Sequence, residues 1–352
     1  MKADFWRQKS ESIVIPIVAI LLSMVLFGLF CLFLSKANPF GVFGSIYQGS
    51  FSTWSTWQRT LIGAAPIMLC ALCTALPARM GYVIIGNEGA LIVGGLGAIA
   101  VGLTLNNLPP LLVQIAMAIG GITWGGLWIM AVGALRHYRA VNETISSLLM
   151  NYIAIALMNE LVEGVMRDPS SLNKPSTYSL ATVNMLGALP GTRVHYGLLY
   201  GLIACGLAYF LIERTTFGFS VRATGGNIRA AKITGLPVGK LALAVTFLAG
   251  SCAGLAGMVE VAAVHGNVNA TLNSGYGYSG VLVAFIARYN PLASALISIL
   301  LGGILASGGL LQRLHNLPDA AVLVFQGLVF LCVLWSECWY GQWSFFSPKE
   351  SA

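Results

Sequence analysis

The sequence predicts an all-α, polytopic membrane protein, and three observations lead there. Hydrophobic residues make up 57% of the 352-residue chain and charged residues only 9%, against roughly a quarter charged in soluble domains. The apolar residues gather in long runs, near the ~20 residues needed to span a hydrocarbon core at about 1.5 Å per residue. Many of the 41 glycines fall inside those runs, where small residues let neighbouring helices approach in lipid. Nineteen bases and twelve acids cannot supply the polar shell of a soluble domain this long.

The first run, 13–34, follows a basic start at Lys2, Arg7 and Lys9. It is too long for a signal-peptide core and no small-residue cleavage site closes it, so it reads as a retained transmembrane helix. Runs at 61–79, 89–105, 111–135, 144–165, 196–213, 240–261, 277–287, 292–311 and 319–338 bring the number to ten. The eighth is too short to span alone and reads as a half-helix whose broken end lines a cavity. Residues 1–352 are expected to form one transmembrane domain.

Ten crossings put both termini on one side, and the basic residues say which. The terminal side holds Lys2, Arg7, Lys9, Arg79, Arg136, Arg139, Arg214, Arg222, Arg229, Lys232, Lys240, Arg288 and Lys349; the other holds Lys36, Arg59, Arg167, Lys174, Arg193 and Arg313. Thirteen against six predicts cytoplasmic termini. The net charge of +7 is thus explained by topology, and nucleic acid is not an expected partner. Two longer segments, 36–60 and 166–195, rich in Ser, Thr, Asn, Pro and Trp, fall outside.

Gly94, Gly95 and Gly97, then Gly120, Gly121, Gly125 and Gly126, then Gly250, Gly254 and Gly257 predict close helix packing. Gly86-Asn-Glu-Gly89-Ala-Leu-Ile-Val echoes Gly277-Tyr-Ser-Gly280-Val-Leu-Val-Ala. Five crossings separate the two stretches, which would make them parts of an inverted repeat.

Enzyme motifs are missing. Cys70-x-x-Cys73 has neither a second pair nor a nearby histidine, and His137, His195, His265 and His315 are scattered. The closest approach to a phosphate loop, Gly235-Leu-Pro-Val-Gly-Lys240, is one residue short and continues with Leu241 where Ser or Thr is required. No metal and no cofactor is expected in this chain.

The most informative stretch is the loop 214–237, on the side predicted to be cytoplasmic. Arg222, Arg229 and Lys232, with Ala230, Ala231 and Ile233 between them, suggest a short amphipathic helix. It would start near Asn227 as N-cap and end at Gly235 and Pro237. A helix outside the membrane, tied to a span at each end, suits docking to a soluble partner; a plain positive-inside loop is the simpler alternative.

This loop resembles the coupling segment of bacterial ATP-binding-cassette importer permeases of the ribose, simple-sugar and nucleoside type, the binding-protein-dependent group related to branched-chain-amino-acid permeases. The pattern T-x-x-G-x-x-x-R-A-x-G-x-N-x-x-A-A-x-x-x-G-[IL] is matched by Thr215, Gly218, Arg222, Ala223, Gly225, Asn227, Ala230, Ala231, Gly235 and Leu236. Further matches follow in order: Gly86 to Gly89, Asn142 to Ala154, Gly250 to Gly257, Gly275 to Ala284 and Asn290-Pro291. Together they cover about residues 79 to 328. Ile228 replaces the usual proline and Ser279 a common acid.

The resemblance implies a type II importer-like bundle acting as the permease subunit. It implies a cytoplasmic ABC ATPase binding ATP and Mg, a second permease subunit (the same chain or a close relative) and an extracytoplasmic solute-binding protein. It places the chain in the bacterial inner membrane, importing a simple sugar, nucleoside or nucleobase. ATPase coupling is carried over to Gly218, Arg222, Ala223, Gly225, Asn227, Ala230, Ala231 and Gly235. For the translocation path the candidates are Asn87, Glu88, Asn142, Glu143 and Glu260, because ionised or amide side chains near lipid need a cavity or a partner. Asn267, Asn269, Asn273 and Tyr276 add hydrogen-bonding groups near the outer mouth. An ion-coupled secondary transporter using Glu88 or Glu260 is the alternative.

Overall fold

Apolar runs near bilayer length can satisfy their backbone only as helices, and each of the ten runs forms helix in the computed structural model, which describes residues 2–35, 37–171, 173–318 and 320–337. The helices are α1 (Lys2–Ser35), α2 (Pro39–Phe51), α3 (Trp54–Ala78), α4 (Asn87–Thr104), α5 (Pro110–Arg139), α6 (Glu143–Glu163) and α7 (Gly197–Arg214). They continue as α8 (Thr216–Gly226), α9 (Ile228–Ile233), α10 (Val238–Val259), α11 (Tyr276–Ile286), α12 (Pro291–Ala306), α13 (Gly308–His315) and α14 (Ala320–Glu337). Among the described residues there are no strands, only isolated bridges. Among the described residues seven stretches are long and apolar enough to cross a membrane: α3, α4, α5, α6, α7, Val238–His265 and Pro291–His315. Two shorter apolar stretches, Ile17–Phe33 and Ala320–Ser336, lie within α1 and α14. Lys36 and Lys349, counted in the charge balance above, lie outside the described residues, as do Asp319 and Cys338 at the ends of the last predicted run.

The chain divides into two compact units, residues 1–57 with 303–352, and residues 58–302. In the first, α1 packs on α14 and α2 on α13. Phe27 stacks on Phe325 with ring centroids 4.7 Å apart, and Ser45 shares a 2.9 Å hydrogen bond with His315. The 36–60 segment, expected only as an outside connection, contains α2. Asn38 accepts from the Phe40 N–H and Pro39 occupies the first turn, so the local start signal was sufficient.

The core of the second unit is α4, α5 and α10 packed backbone to backbone. Gly254 sits where α10 meets both partners; a methyl group there would run into the Gly121 carbonyl and come within 3.0 Å of Gly125 Cα. Most of the glycines read as packing faces therefore make contact with each other, while Gly126 meets Phe247 and Ser251, and backbone proximity replaces the missing hydrophobic drive between helices. The segment 166–195 is not a free loop. It pairs with the stretch after α10 through Leu186 N–H to Ala262 O (2.7 Å), Leu180 N–H to Gly266 O (2.7 Å) and Thr177 N–H to Val268 O (3.0 Å).

Candidate functional site

Between α3 and α4 the chain runs non-helical over residues 82–85, yet Tyr82 and Ile84 are buried. Buried backbone without partners would cost about 1–3 kcal/mol per group, and α6 supplies the partners. Residues 143, 144, 147 and 151 lie on one face of a helix, within an arc of roughly 100°. Glu143 Oε1 faces Val83 N–H at 3.4 Å, and Thr144 donates to Val83 O at 2.8 Å. Ser147 accepts from Ile85 N–H at 3.1 Å. Asn151 donates to Ile85 O at 3.0 Å and accepts from Gly89 N–H at 2.8 Å. From the other side, Thr74 donates to Ile84 O at 2.8 Å, and Asn87 donates to Cys70 O and Thr74 Oγ1, both at 2.9 Å.

The start of α4 also holds the start of α11. Glu88 is fully buried, and its two carboxylate oxygens accept from Gly275 N–H (2.9 Å) and Gly277 N–H (2.6 Å). These are orphan donors of a helix N-terminus, where a carboxylate also meets the positive end of the dipole. Gly277 lies against the Glu88 backbone with no room for a side chain. The two echoing sequences thus meet at their helix starts. Tyr278 of α11 brings its hydroxyl 3.5 Å from Asn151.

Asn142 caps α6, accepting from Ile145 N–H at 3.0 Å, and Glu143 pairs with Arg136 at 3.1 Å. Glu260 lies close enough to Glu88 for their charges to interact. It opens a π-helical extension of α10, Glu260–His265, is 2% exposed, and has one carboxyl oxygen 3.6 Å from His265 Nε2 and the other without a hydrogen-bond partner. Asn267 and Asn269 bond each other at 2.9 Å, and Asn269 also accepts from Thr271 N–H at 2.9 Å. Two tryptophans, Trp124 and Trp128, with Leu96, Leu157 and Leu161, line a cavity of about 250 Å³ between α4, α5 and α6.

The segment 214–237 contains two short helices where one was expected. Thr215 accepts from Gly218 N–H at 3.2 Å and starts α8, so Arg222 lies in α8; Gly225 and Gly226 end it, and Asn227 then caps α9 by accepting from Ala230 N–H at 3.1 Å. Gly235 closes α9 with a φ of +81°, a conformation that suits glycine. Gly218 packs against the carbonyls of Leu211 and Ile212, and Gly225 against Arg79 and Met80. Ala231 is buried and Ala230 exposed, while Ala223 is half-buried. Arg222 turns back, 2.7 Å from Glu213 Oε2 and bonded to Ile212 O. The motif positions therefore shape the segment, and its most outward apolar side chains are Phe219 (65% exposed) and Ile233 (87%).

Sequence reasoning singled out Asn87, Glu88, Asn142 and Glu143 but missed Thr74, Thr144, Ser147, Asn151, Glu213 and Arg79. The polar spacing along Glu143, Thr144, Ser147 and Asn151 was a usable signal, since it marks one helical face. Glu213 and Arg79 carried none, because their pairing is set by tertiary approach.

The profile of the family described as branched-chain amino acid transport system / permease component matches residues 57–334. The chain is 28% identical over 336 residues to a guanosine ABC transporter permease protein of Bacillus subtilis, covering 93% of this chain and 94% of that one. It is 27% identical over 333 residues to a glucose ABC transporter permease protein of Haloferax volcanii, covering 92% and 87%. A nucleoside ABC transporter permease protein of Lactococcus lactis is 22% identical over 340 residues, covering 92% and 93%.

Proposed function

This chain belongs to the branched-chain amino acid transport system / permease component family, and from that premise we propose that it is the membrane-spanning permease subunit of an ATP-driven ABC importer. Its solute is small and polar, a simple sugar or a nucleoside; the relatives named for glucose, guanosine and nucleosides support that range. The chemistry of ATP belongs to a separate cytoplasmic ATPase, which binds ATP and Mg. A second permease copy or close relative forms the path with this chain, and an extracytoplasmic binding protein delivers the solute. The chain sits in the inner membrane with both termini cytoplasmic.

The observation that carries this reading is the pair α8–α9: two capped helices outside the apolar spans, tied to α7 and α10, presenting Phe219, Ile233, Arg229 and Lys232 outward. ATP binding in the partner moves such a segment, and the segment biases two arrangements of the spans. The non-helical stretches before α4 and α11, with Asn87, Glu88 and Asn151 bonded to the backbone there, are the kind of break that transporters place beside a polar path, which supports this reading.

The test is co-purification of the ATPase subunit of the same transport system with the membrane-inserted chain. Ile233→Asp and Phe219→Asp should abolish association without affecting insertion. Arg222→Glu should also abolish it, indirectly, because it sets a second carboxylate beside Glu213 and releases α8. Normal association of all three variants would overturn the assignment of this segment.

A further inference from the structure

We infer that Glu213 is a positioning residue that links the docking segment to the short helix α11; the inference rests on the importer reading above. Glu213 lies at the end of α7 and is touched by two guanidinium groups from different elements. Arg222 of α8 stands 2.7 Å from Oε2, and Arg79, just past α3, stands 3.5 Å from Oε1. Arg79 also reaches onward, its Nε donating to the Tyr289 carbonyl at 3.2 Å. Tyr289 and Arg288 close α11 with φ values of 57° and 51°, the left-handed region that non-glycine residues seldom occupy.

A polar chain therefore runs from α8 through Glu213 and Arg79 to the far end of α11. Gly225 adds a steric contact along the same line, since it presses the end of α8 against the Arg79 carbonyl and Met80. At its other end α11 is held by Glu88 through Gly275 and Gly277. An 11-residue helix is too short to cross the bilayer. It is fixed by polar contacts at both ends, one of which answers to α8.

Arginine suits the joint. One planar guanidinium can serve a carboxylate and a carbonyl together, which a lysine ammonium cannot do in the same geometry. A displacement of α8 pulls on Arg222 and Glu213 together, and Arg79 passes that displacement to the left-handed turn after α11. The docking segment acts on the spans through this turn, in addition to its covalent connections to α7 and α10.

The experiment is hydrogen–deuterium exchange on the whole permease–ATPase complex in lipid nanodiscs, with and without ATP and orthovanadate, following the peptide covering residues 285–291. In the unsubstituted protein, nucleotide should change exchange in that peptide. In Glu213→Gln the ATPase should still bind, while the nucleotide-driven change shrinks by about fivefold, a typical coupling between contacting groups. Arg79→Lys, which keeps the charge, should show the same loss and serves if Glu213→Gln fails to fold. A wild-type response in either folded variant overturns the inference and leaves the importer reading standing. An unsubstituted protein that binds ATPase but shows no change at 285–291 also overturns it. Failure of the unsubstituted chain to bind any ATPase removes both.

Discussion

Glu88, the second residue of α4, caps α11 across 187 and 189 positions of sequence, with its carboxylate on the N–H groups of Gly275 and Gly277. One side chain thus joins the starts of two helices, each preceded by a non-helical stretch. Removing it should loosen α11 while leaving the glycine-packed core in place. Glu88→Ala is expected to destabilise the folded protein by about 2–4 kcal/mol, the scale for orphaning two donors. Glu88→Gln should lose less, since its amide oxygen still accepts one bond. Thermal unfolding in nanodiscs, followed by tryptophan fluorescence, checks the order.

Asn151 serves both the non-helical segment and α4, through Ile85 O and Gly89 N–H. Asn151→Leu leaves the buried Gly89 N–H and the half-buried Ile85 carbonyl without this partner and should cost about 2–4 kcal/mol. Ser147→Ala loses one partner, the acceptor for Ile85 N–H, and should cost about 1 kcal/mol. Equal unfolding midpoints for the two variants would contradict this ladder.

Gly254→Ala places a methyl against the Gly121 carbonyl at the junction of three helices, and overpacking of that kind costs about 1–3 kcal/mol or more. Gly206→Ala, in α7, meets nothing within 4 Å and should be neutral or slightly stabilising. Yield of folded, monodisperse protein after extraction separates them.

His195 lies before α7, buried, with neither ring nitrogen hydrogen-bonded. Burial pushes its imidazole down from 6.5 to about 4. The folded state keeps it neutral while the unfolded chain takes up a proton near pH 6.5. Its contribution is therefore fully present above pH 6.5 and is lost as pH falls towards 4, at up to about 1.4 kcal/mol per pH unit. The difference in unfolding midpoint between the native chain and His195→Leu should shrink or reverse over that window, and a constant difference would contradict it.

The positions of the helices were legible because hydrocarbon thickness imposes a length on apolar runs, and among the described residues each predicted run falls on helix, the run 292–311 being divided between α12 and α13. Boundaries shifted where polar residues continue a helix past its apolar stretch, as when α3 begins at Trp54 and not at 61. In the 214–237 loop the cap Asn227 was plain in the sequence, while the cap Thr215 and the inward turn of Arg222 were not. The direction of Arg222 depends on Glu213 and the carbonyl of Ile212 in the last turn of α7, which are fixed by how α8 folds back on α7. For the same reason Glu88 was readable as an acid that needs a cavity or a partner, while its role at the start of α11 was not. Long-range hydrogen bonds leave no periodicity behind.

The most direct test is solute uptake into proteoliposomes containing this chain, its ATPase and its binding protein, with labelled guanosine and glucose as probes. Uptake of at least one probe should require ATP hydrolysis, be lost in Ile233→Asp and be indifferent to proton and sodium ionophores. Uptake by the chain alone, driven by a proton or sodium gradient without ATP, would contradict the importer reading and point to a secondary transporter.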